Sequence, residues 1–261
     1  SLDCRLLVRF ILVEGFFTKE IMFPKLKKFG GLSPFCSSYL IEDYSEEGNF
    51  CEFLIDNPSI KIFETNHSFL MHYLSEVFKL NDQLCIKNIE EMLIGYDCNS
   101  NFDTILYCLQ LFPNVKKLQV NCGYMNLKDY LHYDSLDQMG PTKIEELWIK
   151  NHFNDSTLNF ITIENLFTQI PNVKILSFEK LPANVVNVIT NSLKHFPQLI
   201  KLEIKCCEFF FEDDDDKVEE GDTLIYRFIN ELKSLKYLAQ VRIELLQKEQ
   251  FYREELDKVV L

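Results

Sequence analysis

The residue types that most often carry out catalysis occur in this chain of 261 residues, but their spacing matches no familiar motif. There is no glycine-rich phosphate loop, no GxSxG nucleophile turn and no HExxH metal helix. Five histidines are scattered along the sequence, and the closest two, His67 and His72, are five residues apart across a predicted strand-to-helix turn. Because that spacing suits metal binding poorly, we predict no catalytic residue, no metal site and no cofactor.

The nine cysteines indicate buried thiols rather than metal ligands. Their number is odd, no two have the CxxC spacing, and most fall within apolar stretches, where cysteine packs as a small hydrophobic residue. Cys206 and Cys207 are adjacent, so in a strand their side chains would point to opposite faces and could not chelate one ion. Free thiols are typical of a reducing compartment, and we predict an intracellular protein, cytoplasmic or nuclear.

An acidic run from Glu212 to Glu220 is the most conspicuous local feature. It lengthens one repeat of the pattern described below, so we predict a loop insertion near residues 211–220. One role for such a loop is simply to keep the protein in solution. The alternatives are that it contacts a basic partner segment or weakly binds a divalent ion. Its candidate contact residues are Asp213, Asp214, Asp215 and Asp216.

A junction that recurs along the chain predicts the elements that would position any site. It reads FPKLKKF at 23–29, FPNVKKL at 112–118, IPNVKIL at 170–176 and FPQLIKL at 196–202. Proline ends a preceding helix and forces an extended entry into the next strand. The same apolar spacing predicts eight strand frames, which begin at Leu26, Ile60, Ile89, Val115, Ile144, Val173, Leu199 and Leu238.

Segments with apolar residues at helical spacing lie between these frames. They cover residues 69–78, 102–109, 163–170, 185–193 and 225–232. Asp222 is the predicted N-cap of the last one. One strand and one helix cannot bury both apolar faces alone, whereas stacked units can. We therefore predict a single α/β solenoid domain over residues 1–261, although a doubly wound α/β domain would also alternate strands and helices.

The frame resembles the leucine-rich repeat, L-x-x-L-x-L-x-x-N/C, in its longer ribonuclease-inhibitor-like form, over roughly residues 20–250. At the ninth position, where that family has an asparagine or cysteine that bonds to the turn backbone, only Cys207 conforms. The resemblance implies a horseshoe with a parallel sheet on the concave face and helices on the convex face. The F-P-x-L-x-x-L junction is similar to that of F-box leucine-rich-repeat proteins, which implies the substrate-receptor part of a ubiquitin ligase. This chain shows no F-box motif.

The net charge of −13 and a pI of about 4.9 argue against two classes of partner. An acidic chain repels phosphate backbones and anionic lipid, so we expect neither nucleic acid nor a membrane surface. No apolar run approaches the roughly 20 residues of a membrane-spanning helix. We expect a protein partner, and the sequence does not predict the oligomeric state.

Strand alternation predicts that the second, third and fifth residues of each frame point away from the core. These positions hold eight basic and six acidic residues, so this face is near +2 in a chain of net charge −13. Lys-Lys and Glu-Glu pairs alternate between frames and could simply neutralise each other along an idle sheet. Alternatively, they form a recognition surface in which Trp148, the only tryptophan, is exposed at the centre, close to the aliphatic residues Leu93, Ile62 and Ile175 and to Tyr96. The predicted partner-binding residues are Trp148, Tyr96, Leu93, Lys116, Lys117, Glu145, Glu146, Ile175 and Lys201.

We therefore predict a protein-interaction module that is not an enzyme. Two other functions stay open at this level. An acidic scaffold or chaperone would bind basic proteins through residues 212–220. An enzyme would need residues that converge only in three dimensions, in a deep pocket at one end of the strands.

Overall fold

The computed structural model describes residues 23–30, 48–65, 74, 83–95, 102–122, 142–151, 167–181, 183–207 and 218–245. Within these ranges, eight strands form one sheet: β1 (Lys28–Phe29), β2 (Ile62–Thr65), β3 (Glu91–Ile94), β4 (Lys117–Cys122), β5 (Glu146–Asn151), β6 (Ile175–Glu179), β7 (Lys201–Cys207) and β8 (Gln240–Leu245). Their order in the sheet is their order in the chain, and every neighbouring pair is parallel. The predicted α/β solenoid with a parallel sheet is confirmed, since a doubly wound sheet reverses its strand order.

The strands pair in the register that the repeated junction predicts. The fourth residue of each frame lies beside the fourth residue of the next, from Phe29 and Phe63 at one end to Leu202 and Val241 at the other. From Phe29 to Leu202 these side chains are at most 2% exposed. Frame residues four and six therefore form the core side of the sheet, as period-two alternation requires, and frame residue one is buried just before each of the strands β2 to β7 begins. The concave curvature and the extent of the domain over residues 1–261 stay predictions.

The apolar residue that precedes each junction proline also packs into this core. Phe112, Ile170 and Phe196 are at most 1% exposed. The Phe112 ring lies 5.6 Å from that of Phe63, and the Phe196 ring lies 5.1 Å from that of Phe167. The junction is thus a helix end, a buried anchor and a strand entry in a few residues, and that combination explains why its pattern repeats.

Four α-helices have both ends in the described part of the chain: α1 (Gly48–Asp56), α2 (Phe102–Leu111), α3 (Ala183–Ser192) and α4 (Val218–Ser234). Residues 167–169, at the end of the predicted stripe 163–170, and residue 74, within the predicted stripe 69–78, are also helical, while the other residues of stripe 69–78 and residues 163–166 lie outside the described residues. A 3-10 turn, Leu193–His195, follows α3. The predicted stripes at 102–109, 185–193 and 225–232 fall on α2, α3 with its 3-10 turn, and α4. Helix α1 was not predicted. None of the described helices is long and apolar enough to cross a membrane.

The start of α4 corrects two predictions. The helix begins at Val218, so Asp222 lies inside it and is not its N-cap, and Val218–Glu220 are helical rather than part of a loop. The rest of that run, with Asp213–Asp216, lies outside the described residues.

Polar side chains immediately before the frames join successive repeats, a role that the sequence did not reveal. Asn88 Nδ2 lies 2.9 Å from the Leu54 carbonyl oxygen and 3.1 Å from that of Ile60. In the same frame position, Asn114 Nδ2 donates to Lys87 O at 2.8 Å and Asn172 Nδ2 to Thr142 O at 3.2 Å. These bonds satisfy carbonyl groups at turns where the backbone has no strand partner. The asparagines immediately before these frames, Asn88, Asn114 and Asn172, therefore have a structural role.

At the carboxyl ends of β6 and β7, one residue of each repeat adopts the same left-handed backbone conformation. Lys180 and Cys206, the eighth residues of successive frames, both have left-handed φ angles, 58° and 52°. The Leu181 amide donates to Cys207 Sγ at 3.4 Å, and this thiol lies 3.6 Å from the Lys205 carbonyl oxygen. Cys207 thus bonds to the turn backbone, as the repeat resemblance implies for its ninth position.

Candidate functional site

The side of the sheet that faces away from the core is called the open face here, and its residues are the second, third, fifth and seventh of each frame. Seven spacings of about 4.8 Å make it roughly 34 Å wide, and five residues of about 3.3 Å make it roughly 17 Å tall. Most of its side chains are half-buried or exposed. Two fifth-position residues depart from that prediction, since Ser177 is 4% exposed and Glu203 is 6% exposed.

Ion pairs between neighbouring repeats cover much of the open face, and together they are called the ion-pair ladder. Each side chain in them is between about a quarter and a half exposed. The pairs are Lys28–Glu64 at 2.6 Å, Lys61–Glu90 at 3.1 Å, Glu91–Lys117 at 3.0 Å, Glu145–Lys174 at 3.1 Å and Lys150–Glu179 at 2.6 Å. The predicted pairing of lysines and glutamates along the sheet is therefore observed. Exposed pairs of this kind contribute little stability, about 0–1 kcal/mol each.

Two predicted residues stay outside the ladder. Lys116 is exposed and Glu146 is half-buried, and neither makes an ion pair within the described part of the chain. Glu146 lies between Lys117 and Ile175 in the strand register.

A different arrangement of charge occupies β7, where three alternate residues of one strand pair with each other. Glu203 accepts from Lys201 Nζ at 2.9 Å and lies 3.5 Å from Lys205 Nζ, and its side chain is only 8% exposed. The hydrogen bond from Lys201 holds the pKa of Glu203 below its usual value, and the charge of Lys205 adds to this effect while burial opposes it. We call these three residues the Glu203 cluster, and it carries one excess positive charge.

Trp148 lies between the ladder and the Glu203 cluster. It aligns with Gln119 on β4 and Ser177 on β6. Lys117 Nζ lies 5.6 Å from the centre of its ring, and Lys205 Nζ lies 5.9 Å from it. These ammonium groups come from strands on opposite sides of β5 and are within the range of cation–π attraction. The indole is thus held between one residue of the ladder and one of the cluster.

The surroundings of Trp148 correct part of the prediction. The side chain is half-buried rather than exposed, and the groups over its ring are ammonium groups rather than aliphatic side chains. Its Nε1 atom is inaccessible to solvent and has no hydrogen-bond acceptor within the described structure. A buried indole N–H without an acceptor costs about 1–3 kcal/mol, which opposes the cation–π attraction of the two lysines.

The remaining predicted residues are distributed across the face. Leu93 on β3 is half-buried and lies two strands from Trp148, because Gln119 separates them in the register. Ile175 on β6 is half-buried and pairs with Glu146. Tyr96 and Asp213–Asp216 lie outside the described residues, so their part in a site stays a prediction.

Sequence reasoning missed three residues of this region: Glu203 as a buried carboxylate, Lys205 and Ile200. Lys205 occupies the seventh frame position, and the same alternation that places the fifth residue on the open face also places the seventh there. The sequence therefore contained the signal that places Lys205 on the open face. The burial of Glu203 had no sequence signal, since it depends on neighbours from several strands. No group of three or more histidine, cysteine or acidic residues is placed to hold a metal in the ranges that the structure describes.

Comparisons with known proteins add a structural likeness. No known protein family matches the sequence, and no curated protein matches it either. The chain is similar to the crystal structure of the leucine-rich repeat-containing protein LegL7 from Legionella pneumophila, with a TM-score of 0.42 and 9% sequence identity. The alignment covers 82% of this chain and 76% of that one. The solenoid assignment here comes from the order and register of the strands.

Proposed function

We propose that this chain is a protein-binding module that uses the open face of its sheet and performs no chemistry of its own. The observation that supports this most is Trp148, a half-buried indole on the open face whose N–H has no acceptor among the described residues. Tryptophan is enriched among the residues that dominate protein interfaces. A residue that costs stability where it stands is more readily explained by binding than by folding.

The dimensions of the open face agree with this function. Its flat projection, roughly 34 by 17 Å, is close to 600 Å², before the relief of the side chains is counted. A protein partner in a stable complex typically contributes about 800 Å². The charges on the face are mixed and mostly neutralised within the chain, which resembles the polar part of an interface.

Affinity capture tests this proposal. The full chain is immobilised and exposed to an extract of the cells that produce it, and the retained proteins are identified and quantified. Trp148→Ala should weaken retention of the specific partner by about 2 kcal/mol, or roughly thirtyfold. The control is Tyr226→Ala, which removes an aromatic ring that is 53% exposed on α4.

Thermal melting of each variant separates loss of the surface from loss of the fold. Retention that is unchanged in a folded Trp148→Ala protein would count against the open face. Retention that instead disappears in Tyr226→Ala would assign binding to the helical side.

A finer version of the proposal is a substrate receptor of a ubiquitin ligase. It rests on the similarity of the F-P-x-L-x-x-L junction to that of F-box leucine-rich-repeat proteins. Such a receptor would need an F-box upstream of Ser1, and the coding sequence before that residue tests this directly. If the upstream sequence encodes no F-box, the ligase version is wrong while the binding module stands.

A further inference from the structure

Three apolar residues of the open face follow an oblique line across the repeats of β5, β6 and β7. Trp148 is the fifth residue of its frame, Ile175 the third and Ile200 the second, on three successive repeats. Ile175 aligns with Lys201, so Ile200 is its diagonal neighbour. Strand spacing places Trp148 about 8 Å from Ile175, and Ile175 about 6 Å from Ile200. We call these three residues the apolar stripe.

The accessible end of the stripe lies at β7. Ile200 is 45% exposed, and its carbonyl accepts hydrogen bonds from the amides of Ala239 at 2.8 Å and Gln240 at 3.1 Å. Tyr237, which is 56% exposed, precedes Ala239 by two residues at the amino-terminal edge of the sheet. An exposed isoleucine that continues a line of half-buried apolar residues is the arrangement expected where a second chain covers the surface.

Charges of opposite sign border the stripe. On the carboxyl side, the Glu203 cluster has one excess positive charge, and Arg242 is 60% exposed with only a 4.0 Å approach to Glu244. On the amino side, Glu146 lies beside Ile175 in the register and has no ion pair among the described residues, while Lys174 pairs with Glu145 and the exposed Lys116 lies farther away, before β4. A ligand that fills the stripe would therefore meet positive charge on one side and negative charge on the other.

We propose that the apolar stripe binds an amphipathic helical segment of a protein partner. The proposal rests on the proposed function and names the partner's contact chemistry. The stripe spans about 14 Å, which corresponds to about nine residues of helix, so apolar residues at i, i+4 and i+7 or i+8 would fill it. A helix also presents side chains on both flanks of its apolar line. Acidic residues would lie towards Lys201 and Arg242, and a basic residue towards Glu146.

A displayed library of random 16-residue peptides tests this inference against the full chain. Selected peptides should carry apolar residues at helical spacing and acidic residues along one flank. Ile200→Glu should weaken their binding about tenfold or more. The matched control is Ile55→Glu, because Ile55 is 43% exposed on α1 and Ile200 is 45% exposed. Binding to that control should stay within about twofold of the wild type.

Charge reversal provides a second readout that a folding defect would not imitate. Lys201→Glu should weaken peptides with an acidic flank, and peptides whose acidic residues are replaced by lysine should regain affinity for this variant. Circular dichroism of the selected peptides should show helix formation on binding.

The outcomes separate this inference from the proposed function. Peptides that lose affinity for Trp148→Ala but bind Ile200→Glu like the wild type would overturn the stripe and leave the open face as the binding surface. Peptides that ignore both substitutions would contradict both. Selected peptides with apolar residues at every second position would show that the stripe binds an extended segment, and would overturn the helical ligand. A library that yields no binder would also overturn the inference.

Discussion

The ion-pair ladder and the Glu203 cluster use the same residue types on the same face, yet their physical settings differ. In the ladder, each lysine pairs with a glutamate of a neighbouring repeat, and both side chains are at least 25% exposed. In the cluster, one carboxylate that is 8% exposed is shared by two lysines of its own strand. Water screens both charges of each ladder pair, whereas in the cluster it reaches the two lysines, which are 31% and 28% exposed, but hardly the carboxylate.

This difference shows that burial, rather than the number of charges, decides their energetic weight. A half-exposed charge gains little free energy from its ion-pair partner, because water solvates that charge almost as well. A buried carboxylate has no such replacement, so loss of its partners leaves an uncompensated charge. The predictions below test this contrast from its strongest consequence to its weakest.

Removal of both lysines from the Glu203 cluster should have the largest effect. Lys201→Met with Lys205→Met leaves the buried carboxylate without a counter-charge and should lower the free energy of unfolding by about 3 kcal/mol at pH 7. Urea denaturation measures this value. Addition of Glu203→Gln to the double variant should restore part of the loss, and a triple variant no more stable than the double one would contradict the explanation.

Glu203→Gln alone should cost less, about 1–2 kcal/mol at pH 7, because it weakens hydrogen bonds from charged donors. The folded protein holds the pKa of Glu203 below its usual value, so the unfolded chain binds more protons as the pH falls. The stabilisation is therefore complete above about pH 5 and is lost as the pH falls through the folded pKa. Urea midpoints between pH 3 and 7 should show the wild type and variant converging in acid, and a difference that grows in acid would contradict this sign.

Substitutions in the ladder should have small effects. Lys174→Met breaks the pair with Glu145, whose side chain is 45% exposed, and should change the free energy of unfolding by at most about 0.5 kcal/mol. Lys61→Met is its counterpart near the other end of the sheet and should behave alike. A loss of 2 kcal/mol or more for either variant would remove the distinction between the two regions.

Trp148→Phe should change stability least. It removes the unpaired indole N–H, which offsets the loss of ring area, so the melting temperature should stay the same or rise slightly. Retention of the partner in affinity capture should nevertheless fall. A marked loss of stability would show that the indole serves the fold and would weaken its assignment to binding.

The sequence was sufficient for the repeated part of the fold because the junction combines several independent signals. Phe112, Pro113 and Val115 each restrict the backbone or require burial, and their spacing recurs in register. The charge pairs of the ladder followed from alternation alone, because residues such as Glu91 and Lys117 face each other once the frames are aligned. Helix α1 was missed because its apolar residues, at positions 50, 51, 53, 54 and 55, form a nearly continuous run without a clear helical spacing.

The features that the sequence did not predict depend on contacts between several repeats, and no single frame contains those contacts. Ser177 lies beside Glu203 in the register but belongs to another repeat, so the burial of Glu203 could not be read from β7. The asparagines before the frames looked like variable junction residues, although Asn88 bonds across to Leu54 and Ile60. For the candidate site, Trp148 could be chosen from its type and frame position, but not the two lysines over its ring.

Site-specific photo-crosslinking tests the central claim most directly, since it reports which side of the solenoid another protein touches. Benzoylphenylalanine replaces Ile175 or Ile200 on the open face and, in separate proteins, Ile55 on α1 or Tyr226 on α4. After irradiation in a cell extract, the account predicts crosslinks to another protein from the two open-face positions, with several-fold lower yield from the helical positions. Equal or greater yield from Ile55 and Tyr226 would contradict it.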